Sequence, residues 1–259
     1  MNKVPELLAM LKAGVHFGHQ KSRRHPKMAP YIFTVRNGVC VFDLEATQVE
    51  LEKTLESVKN LAAQGKVVLF VGTKKQAKEI VKSAAEACGM PYLVEKWIGG
   101  LLTNFPEVKK RLRNLAELKE QFKTGEIEKY TKKEQLVLKK KMDKMEKYLA
   151  GLAGIEKKPD VLYVASVHAE KTAIIEAKRT NTQIVGVCDT NCNPSNVDYL
   201  VPANDDAVNS IKMVAELISA AISEGKAMWE KKQAEMPKPV ERKTVKRVVR
   251  NSETKDESI

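Results

Sequence analysis

Short runs of β-branched and aromatic residues alternate along this chain with longer segments of helical periodicity. Three of the runs, residues 67–71 (VVLFV), 161–165 (VLYVA) and 184–188 (IVGVC), are almost continuously apolar. Such runs are typical of strands that are covered on both faces, and their alternation with helices is typical of βαβ units. With further strands predicted at 92–94 and 199–201, the sequence predicts an α/β domain with a mainly parallel sheet.

The segments between these strands have helical periodicity, and a β-hairpin precedes them. Near the start of the chain, the sequence YIFTVRNGVCVF indicates this hairpin, because Asn37 and Gly38 supply the positive φ that a tight turn requires. Its aromatic residues Tyr31 and Phe33 are expected to pack within it. Helices are predicted at residues 47–63, 74–88, 169–179 and 205–229.

One part of the chain does not fit this alternation. Asn104 with Glu107, and Thr131 with Glu134, have the spacing of a helix capping box. Each cap is followed by apolar residues at spacings of three and four, which predicts two helices that form an antiparallel coiled-coil hairpin. Helices of about 20 residues would project roughly 30 Å from the sheet domain. The apolar residues of the two seams are Val108, Leu112, Leu115, Leu118 and Phe122, then Leu138, Met142, Met145, Leu149 and Leu152.

These patterns divide the chain into four predicted segments. Residues 1–103 form the first part of the α/β domain, with a basic N-terminal loop, and residues 104–153 form the coiled-coil hairpin. Residues 154–232 complete the α/β domain. Residues 233–259 form a basic tail that is predicted to be disordered, because it contains prolines and has no apolar periodicity.

The formal net charge of +12 is concentrated in three segments. Residues 19–36 contain five Lys or Arg and no acid, and residues 107–150 contain fourteen basic and eight acidic residues. The segment from Lys231 to the end contains nine basic and five acidic residues. These segments carry +15 between them, so the rest of the chain totals −3. This distribution indicates a polyanionic partner.

The first two of these segments carry the candidate RNA-binding residues. Pro26 and Pro30 interrupt the N-terminal cations, which predicts an exposed loop that follows a phosphate backbone. Aromatic residues are only 5% of the chain and form no interleaved stacking platform, which favours folded RNA recognised by shape and phosphate contact. The candidates are His19, Lys21, Arg23, Arg24, Lys27, Lys109, Lys110, Arg113, Lys132, Lys133, Lys139 and Lys140.

The main alternative is an enzyme or binding domain for a phosphorylated ligand at Gly72. The run from Val71 to Lys75 (VGTKK) resembles half of a phosphate loop, but it lacks the spaced glycines of the complete motif. A tight turn in which Thr73 caps the next helix is the competing interpretation. A third hypothesis is a basic coiled-coil adaptor that binds only proteins.

Metal sites and catalytic sites receive little support. The pairs His16/His19 and Cys188/Cys192 lack the spacing of structural zinc ligands. A cation held by Asp189, Asp205 and Asp206 would require their loops to converge, and helix capping by Asn204 or Asp205 competes with that interpretation. The four histidines do not form a hydrolase arrangement. No cofactor, metal or catalytic residue is therefore predicted. The three aspartates and the His16/His19 pair stay open as metal ligands.

The expected location is the cytoplasm. No stretch approaches the roughly 20 apolar residues of a membrane-spanning helix, and the N-terminus has no convincing signal-peptide cleavage site. The four cysteines do not form a disulfide framework, which is consistent with a reducing compartment.

Several motifs together resemble the family of bacterial small-subunit ribosomal protein two, also called the universal ribosomal protein two family. The resemblance runs from about Leu7 to Ile222 and does not cover the tail. Ala203, Cys192 and His25 depart from the family pattern without altering the basic pattern. The matching segments, in family order, are residues 13–19 (AGVHFGH), 26–28 with 30–33, 70–77 (FVGTKKQA), 97–100 with 102–105, 189–191 and 204–207.

The resemblance implies a Rossmann-like αβα domain with a projecting helical hairpin, in a structural protein of the small (30S) ribosomal subunit. In that family the hairpin and the N-terminal region contact 16S rRNA, and the protein joins the subunit late in assembly. The partners implied are 16S rRNA, neighbouring small-subunit proteins and, as a further candidate, ribosomal protein one. The resemblance implies no catalysis, cofactor, small-molecule substrate or membrane partner.

Overall fold

The computed structural model describes residues 4–235, which contain seven α-helices and eight strands. The strands are β1 (Phe17–Gln20), β2 (Ile32–Arg36), β3 (Val39–Phe42), β4 (Val68–Val71), β5 (Tyr92–Leu93), β6 (Val161–Val164), β7 (Gln183–Cys188) and β8 (Tyr199–Pro202). The helices are α1 (Leu7–Lys12), α2 (Leu44–Ala62), α3 (Lys78–Cys88), α4 (Phe105–Thr124), α5 (Lys132–Leu149), α6 (Lys171–Arg179) and α7 (Val208–Glu235).

Five of the strands form one parallel sheet, in the order β5-β4-β6-β7-β8. In its register Leu69 lies opposite Leu162, which lies opposite Ile184. Every residue of β4 and β6 is buried, as expected for strands with continuously apolar sequences. The predicted α/β fold with a parallel sheet is confirmed, and the predicted ends of these five strands agree with the structure to within one residue.

Successive side chains of the strands enter two cores, one on each face of the sheet. Phe70 and Tyr163 lie in the core that α2, α3 and α7 cover, whereas Leu69 and Leu162 lie in the core that α6 covers. This alternation follows from the pleat of a strand, in which neighbouring side chains point to opposite faces. Helices on both faces give the αβα layering.

The helices differ from their predicted bounds mainly at the start of α3 and at the end of α7. Residues 74–77 form a separate turn, so α3 begins at Lys78, and Ala77 rather than Thr73 lies at its cap. The predicted cap by Thr73 is wrong because the intervening turn moves the start of α3 to Lys78, while the Thr73 N–H donates to Glu170 Oε1 at 2.8 Å. At the other end of the chain, α7 reaches Glu235, so residues 233–235 of the predicted tail belong to this helix.

The remaining tail prediction, for residues 236–259, lies outside the described residues. Among residues 4–235, no helix combines the length and the apolar character that crossing a bilayer requires.

A small antiparallel sheet in the order β1-β3-β2 precedes the main domain. Asn37 and Gly38 have φ values of 51° and 78°, which confirms the predicted tight turn. The N-terminal basic segment (residues 19–36) is more ordered than the predicted loop, because it contains two 3₁₀ turns, Lys21–Arg23 and Pro26–Tyr31. The expected packing of Phe33 is wrong, since 75% of its surface is exposed.

Helices α4 and α5 form a helical hairpin, residues 104–153. Lys119 Nζ lies 2.7 Å from Glu146 Oε1, and Lys109 Nζ donates to the carbonyl oxygen of Glu156 at 3.2 Å. Lys109 precedes Lys119 by ten residues, whereas its partner Glu156 follows Glu146 by ten. The two segments therefore run antiparallel. The supercoil of a coiled coil stays a prediction, as do the domain boundaries at residues 104 and 153.

The apolar seam of the helical hairpin is continuous with the core of the sheet. Val108, Leu115 and Leu149 are buried in the same cluster as Leu69 of β4 and Leu162 of β6. The base of the helical hairpin is therefore part of the sheet domain's packing.

Only one of the two predicted capping boxes is present. Thr131 and Glu134 exchange both hydrogen bonds of the box at the start of α5. The Asn104 side chain makes no capping hydrogen bond, so that prediction is wrong. The N–H of Glu107 donates instead to the backbone oxygen of Asn104.

Candidate nucleic-acid interface

The backbone of the N-terminal basic segment is attached to the turn that follows β7. The N–H of His25 donates to the carbonyl oxygen of Thr190 at 2.7 Å, and the N–H of His19 donates to Thr190 Oγ1 at 2.8 Å. Gly18 permits this close approach, because a Cβ at that position would lie 2.5 Å from Thr190 Cγ2. The segment therefore presents its side chains from a fixed backbone.

Most cations of this segment are exposed. Lys21, Arg23 and Arg24 form no ion pair with a carboxylate anywhere in residues 4–235. Lys27 is also exposed, but its Nζ donates to Ser195 Oγ at 2.9 Å. Three of the predicted RNA-binding cations are thus available to a phosphate without breaking any contact, and Lys27 is available once it leaves a neutral hydroxyl group.

His19 has a different environment from these cations. Its Nδ1 lies 3.0 Å from Asp189 and its Nε2 lies 3.4 Å from Asp206, and its side chain is only 17% exposed. The hydrogen bond to Asp189 raises the pKa of His19, against the smaller effect of burial. The structure therefore places His19 among carboxylates beside the basic surface, where it neutralises acids.

The seven predicted cations of the helical hairpin fall into two groups. Lys109 is partly buried and donates to the Glu156 carbonyl, and Lys110 lies 3.5 Å from Glu107 on an exposed face. The other five are exposed and have no ion pair within the described part of the chain. They are Arg113, Lys132, Lys133, Lys139 and Lys140.

The possible ligands that the sequence left open converge at the carboxyl end of the sheet. His19, Asp189, Asp205 and Asp206 each present one ligating atom, and these atoms all lie within 4.8 Å of one another. Imidazole and carboxylate groups in this number suit a divalent cation. His16 is not part of this group, and burial lowers its pKa.

A lysine of the chain already occupies part of this cluster. Lys74 Nζ lies 2.9 Å from Asp206 Oδ1 and 2.8 Å from Asp205 Oδ1, the latter an ion-pair contact without hydrogen-bond geometry. Burial and the neighbouring charge of Asp189 raise the pKa of Asp205, whereas for Asp206 the Lys74 contacts outweigh burial and lower it. Asn204 Oδ1 accepts the N–H groups of Asp206 and Ala207, so Asn204 stabilises the turn ahead of α7, whereas the helix itself begins only at Val208.

The Gly72 turn does not have the geometry of a phosphate site. It lies between the ends of β4 and β6, where the strand order changes direction and where ligands of such sheets commonly bind. Here the N–H of Thr73 is taken by Glu170, and the Lys74 ammonium is taken by two aspartates. A Cβ at Gly72 would lie 2.7 Å from Val81 Cγ2, so this glycine serves the packing of α3. To bind here, an anion would have to displace Glu170 from the Thr73 N–H and the two aspartates from the Lys74 ammonium.

Two buried glutamates at the start of α6 and within it were missed at the level of sequence. Glu170 and Glu176 are 4% and 7% exposed, and both accept hydrogen bonds from distant segments. The sequence contains a signal for Glu176, because it lies three residues after Ala173 and next to Ala177, both of which are on the buried side of α6. A charged residue on an apolar face indicates a specific partner.

A comparison with known protein families gives one match over most of the chain. The family model described as Ribosomal protein S2 matches residues 10–225, which contain the N-terminal basic segment, the sheet and the helical hairpin.

Proposed function

The chain belongs to the ribosomal protein S2 family, and from that premise we propose that it binds 16S rRNA through the N-terminal basic segment and the helical hairpin. The family is structural rather than enzymatic, and its members are proteins of the small ribosomal subunit. The finer proposal concerns where this chain holds the RNA and by which interactions.

One observation carries the proposal: exposed cations without an ion pair among the described residues are concentrated on these two surfaces, whereas the residues outside these surfaces and the tail total −3 and include several paired lysines. Lys59 pairs with Glu224, Lys78 with Glu95, and Lys74 with Asp205 and Asp206. Unpaired exposed cations repel one another in the free protein, and they release counterions from RNA when they bind phosphates. Their concentration on two surfaces favours a polyanion that spans both.

The same arrangement favours folded RNA over single strands. The unpaired cations stand on a backbone that hydrogen bonds hold in place and on two helices, so their spacing is set before the RNA arrives. Contacts from fixed positions to phosphates recognise the shape of an RNA, and they carry little base sequence information.

The remaining partners follow from family membership. We propose that neighbouring small-subunit proteins contact the chain in the cytoplasmic ribosome, that it joins the subunit late in assembly, and that ribosomal protein one is a further candidate partner. The alternative ligand, a phosphorylated small molecule at Gly72, has no supporting contact. A nucleotide that raised the melting temperature of the isolated protein would revive it.

A charge-neutralisation experiment tests the proposal. One variant replaces four unpaired lysines of α5 by glutamine, and a matched control replaces four exposed lysines outside the two proposed surfaces, so both lose the same charge. We expect the first to bind 16S rRNA about tenfold more weakly, or worse, and the control to bind nearly as tightly as the wild type. Equal losses would mean that only net charge matters. The test lysines are Lys132, Lys133, Lys139 and Lys140, and the control lysines are Lys53, Lys75, Lys171 and Lys212.

A further inference from the structure

The segment that connects β5 to the helical hairpin is held by two carboxylates: Glu95 near its start pairs with Lys78 and Lys147, and Glu176 alone holds residues 97–103. Glu176, on α6, is 7% exposed and accepts a hydrogen bond from the Trp97 indole Nε1–H at 3.0 Å. It also accepts the backbone N–H of Gly100 at 2.9 Å and of Leu102 at 3.2 Å. The hydroxyl of Thr103 donates to it at 3.4 Å. Four donors from seven consecutive residues thus converge on one side chain.

Among the described residues, no other hydrogen bond or ion pair attaches residues 97–103 to a distant part of the protein. Within residues 4–235, Glu176 is the side chain that hydrogen-bonds to this segment from outside, and the segment's own backbone bonds are local, such as Leu101 N–H to Ile98 O. Gly100 turns the chain with a φ of +88°. The helical hairpin begins immediately afterwards, at Phe105 of α4.

The two connections of the helical hairpin are secured in different ways. Where the chain returns from α5, Gly151 packs so closely on β5 that a Cβ would lie 2.3 Å from the Tyr92 carbonyl oxygen. Where the chain enters α4, Leu101 and Leu102 contribute apolar packing, which is non-directional, and the Glu176 hydrogen bonds contribute direction. The packed base of the helical hairpin and the ion pair of Lys147 with Glu95 also place it, and among these contacts Glu176 supplies the directional hydrogen bonds at the entry to α4.

We propose that Glu176 is a positioning residue that fixes the direction in which the helical hairpin leaves the sheet domain. Removing its charge leaves the amide groups of Gly100 and Leu102 buried without an acceptor of equal strength. The segment then relaxes toward water, and α4 takes a wider range of directions. The consequence for RNA follows only if the proposed function is correct, because an rRNA that spans both basic surfaces requires them at a fixed separation.

The experiment measures this direction without RNA. A spin label on Glu128→Cys at the tip of the helical hairpin and another on Lys212→Cys of α7 give a distance distribution by pulsed electron paramagnetic resonance. The four native cysteines are all buried, so labelling favours the introduced ones. We expect Glu176→Gln to broaden or shift this distribution. The matched control is Glu170→Gln, which removes an equally buried carboxylate that bonds to Thr73 and not to the hairpin connection.

A spectroscopic signature separates positioning from general loosening. The indole N–H proton of Trp97 should move upfield in the NMR spectrum of Glu176→Gln, because its acceptor loses its charge, and that of Trp229 should not move. Trp97→Phe removes one donor while retaining Glu176, and it should broaden the distance distribution in the same direction but less. Trp97→Phe also tests the positioning role if Glu176→Gln does not fold.

The outcomes separate the two proposals. A distribution that is the same in the wild type, Glu176→Gln and Trp97→Phe overturns the positioning role, as does an equal change in Glu170→Gln. A changed distribution with about a tenfold loss of 16S rRNA affinity supports both proposals. A changed distribution with unchanged affinity supports the positioning role and contradicts an rRNA site that requires the two basic surfaces at a fixed separation.

Discussion

At the scale of single residues, the polar groups inside the sheet domain have the sharpest consequences. Tyr163 is completely buried beside Phe70, with ring centroids 5.0 Å apart, and its hydroxyl has no hydrogen-bond partner among the described residues. Burial raises the pKa of this hydroxyl, so it stays neutral. An unpaired buried hydroxyl costs about 1–3 kcal/mol, while the ring around it stabilises the core.

Tyr163→Phe should therefore raise the free energy of unfolding by about 1 kcal/mol, since it removes the unpaired hydroxyl and keeps the ring. Urea denaturation followed by circular dichroism measures this change. Tyr199→Phe is the matched control, because the Tyr199 hydroxyl accepts a hydrogen bond from Gln183 at 3.1 Å and its loss should destabilise. A destabilised Tyr163→Phe would mean that its hydroxyl has a partner, such as a buried water.

Glu176 should make stability depend on acid pH. Burial acts to raise its pKa, but the hydrogen bonds from Trp97 and from the backbone of Gly100, Leu102 and Thr103 together lower it. A lowered pKa in the folded state means that this stabilisation is complete above the unfolded value, ~4.3, and is lost as the pH falls through the folded value. The stability difference between the wild type and Glu176→Gln should thus shrink below about pH 4. A difference that is constant from pH 7 to pH 3 would contradict this assignment.

Arg23 and Arg24 test whether the N-terminal basic segment acts through its side chains. Both are exposed and unpaired, and the backbone bond between His25 and Thr190 does not depend on them. Replacing both by alanine should weaken association with 16S rRNA, while the melting temperature changes little, as is usual for surface substitutions. A large fall in melting temperature would show that these side chains hold the fold instead.

At the scale of elements, the helical hairpin has a base that belongs to the sheet domain and a distal part that does not. Leu115 and Leu149 join the cluster of the sheet, whereas Leu138 of α5 is only half-buried and lies outside that cluster. A charged side chain buried in the apolar seam lowers the stability of the helical hairpin, because the charge loses its hydration. Its effect should depend on which part of the seam receives it.

Leu138→Asp should therefore unfold the distal helical hairpin and leave the sheet intact, whereas Leu115→Asp should destabilise both. Hydrogen exchange read by mass spectrometry distinguishes these results, because protection would be lost locally in the first variant and also in β4 and β6 in the second. If both variants lose protection only within residues 104–153, the seam and the sheet are independent units.

Periodicity was sufficient to locate the elements, and it was insufficient wherever a contact joins distant parts of the chain. The strand at residues 161–164 is recognisable because all its own residues are apolar or aromatic, and the Thr131 box is recognisable because both partners are local. The Thr73 cap was wrong because α3 begins only at Lys78, and the contact that Thr73 does make, from its N–H to Glu170, joins residues 97 positions apart. The cluster of His19 with three aspartates, and the role of Glu176, likewise depend on the topology of the sheet.

At the scale of the whole molecule, charge divides the chain into a sheet domain that is close to neutral and two surfaces that concentrate exposed cations, most of them without an ion pair among the described residues. Binding to RNA should then be strongly dependent on salt. If about four to eight phosphates are neutralised, the logarithm of the association constant for 16S rRNA should fall with the logarithm of salt concentration at a slope of several units. The variant that lacks Lys132, Lys133, Lys139 and Lys140 should have a smaller slope than its charge-matched control.

The central claim is that the N-terminal basic segment and the helical hairpin both contact 16S rRNA. Ultraviolet crosslinking of small subunits that contain this chain, followed by mass spectrometry of the RNA-bound peptides, tests it most directly. We predict that crosslinked peptides come from residues 19–36 and from residues 104–153, and that the outer face of α2, which exposes Glu45, Glu52 and Glu56, yields none. Crosslinks confined to other surfaces, with both of these segments unmodified, would contradict the claim.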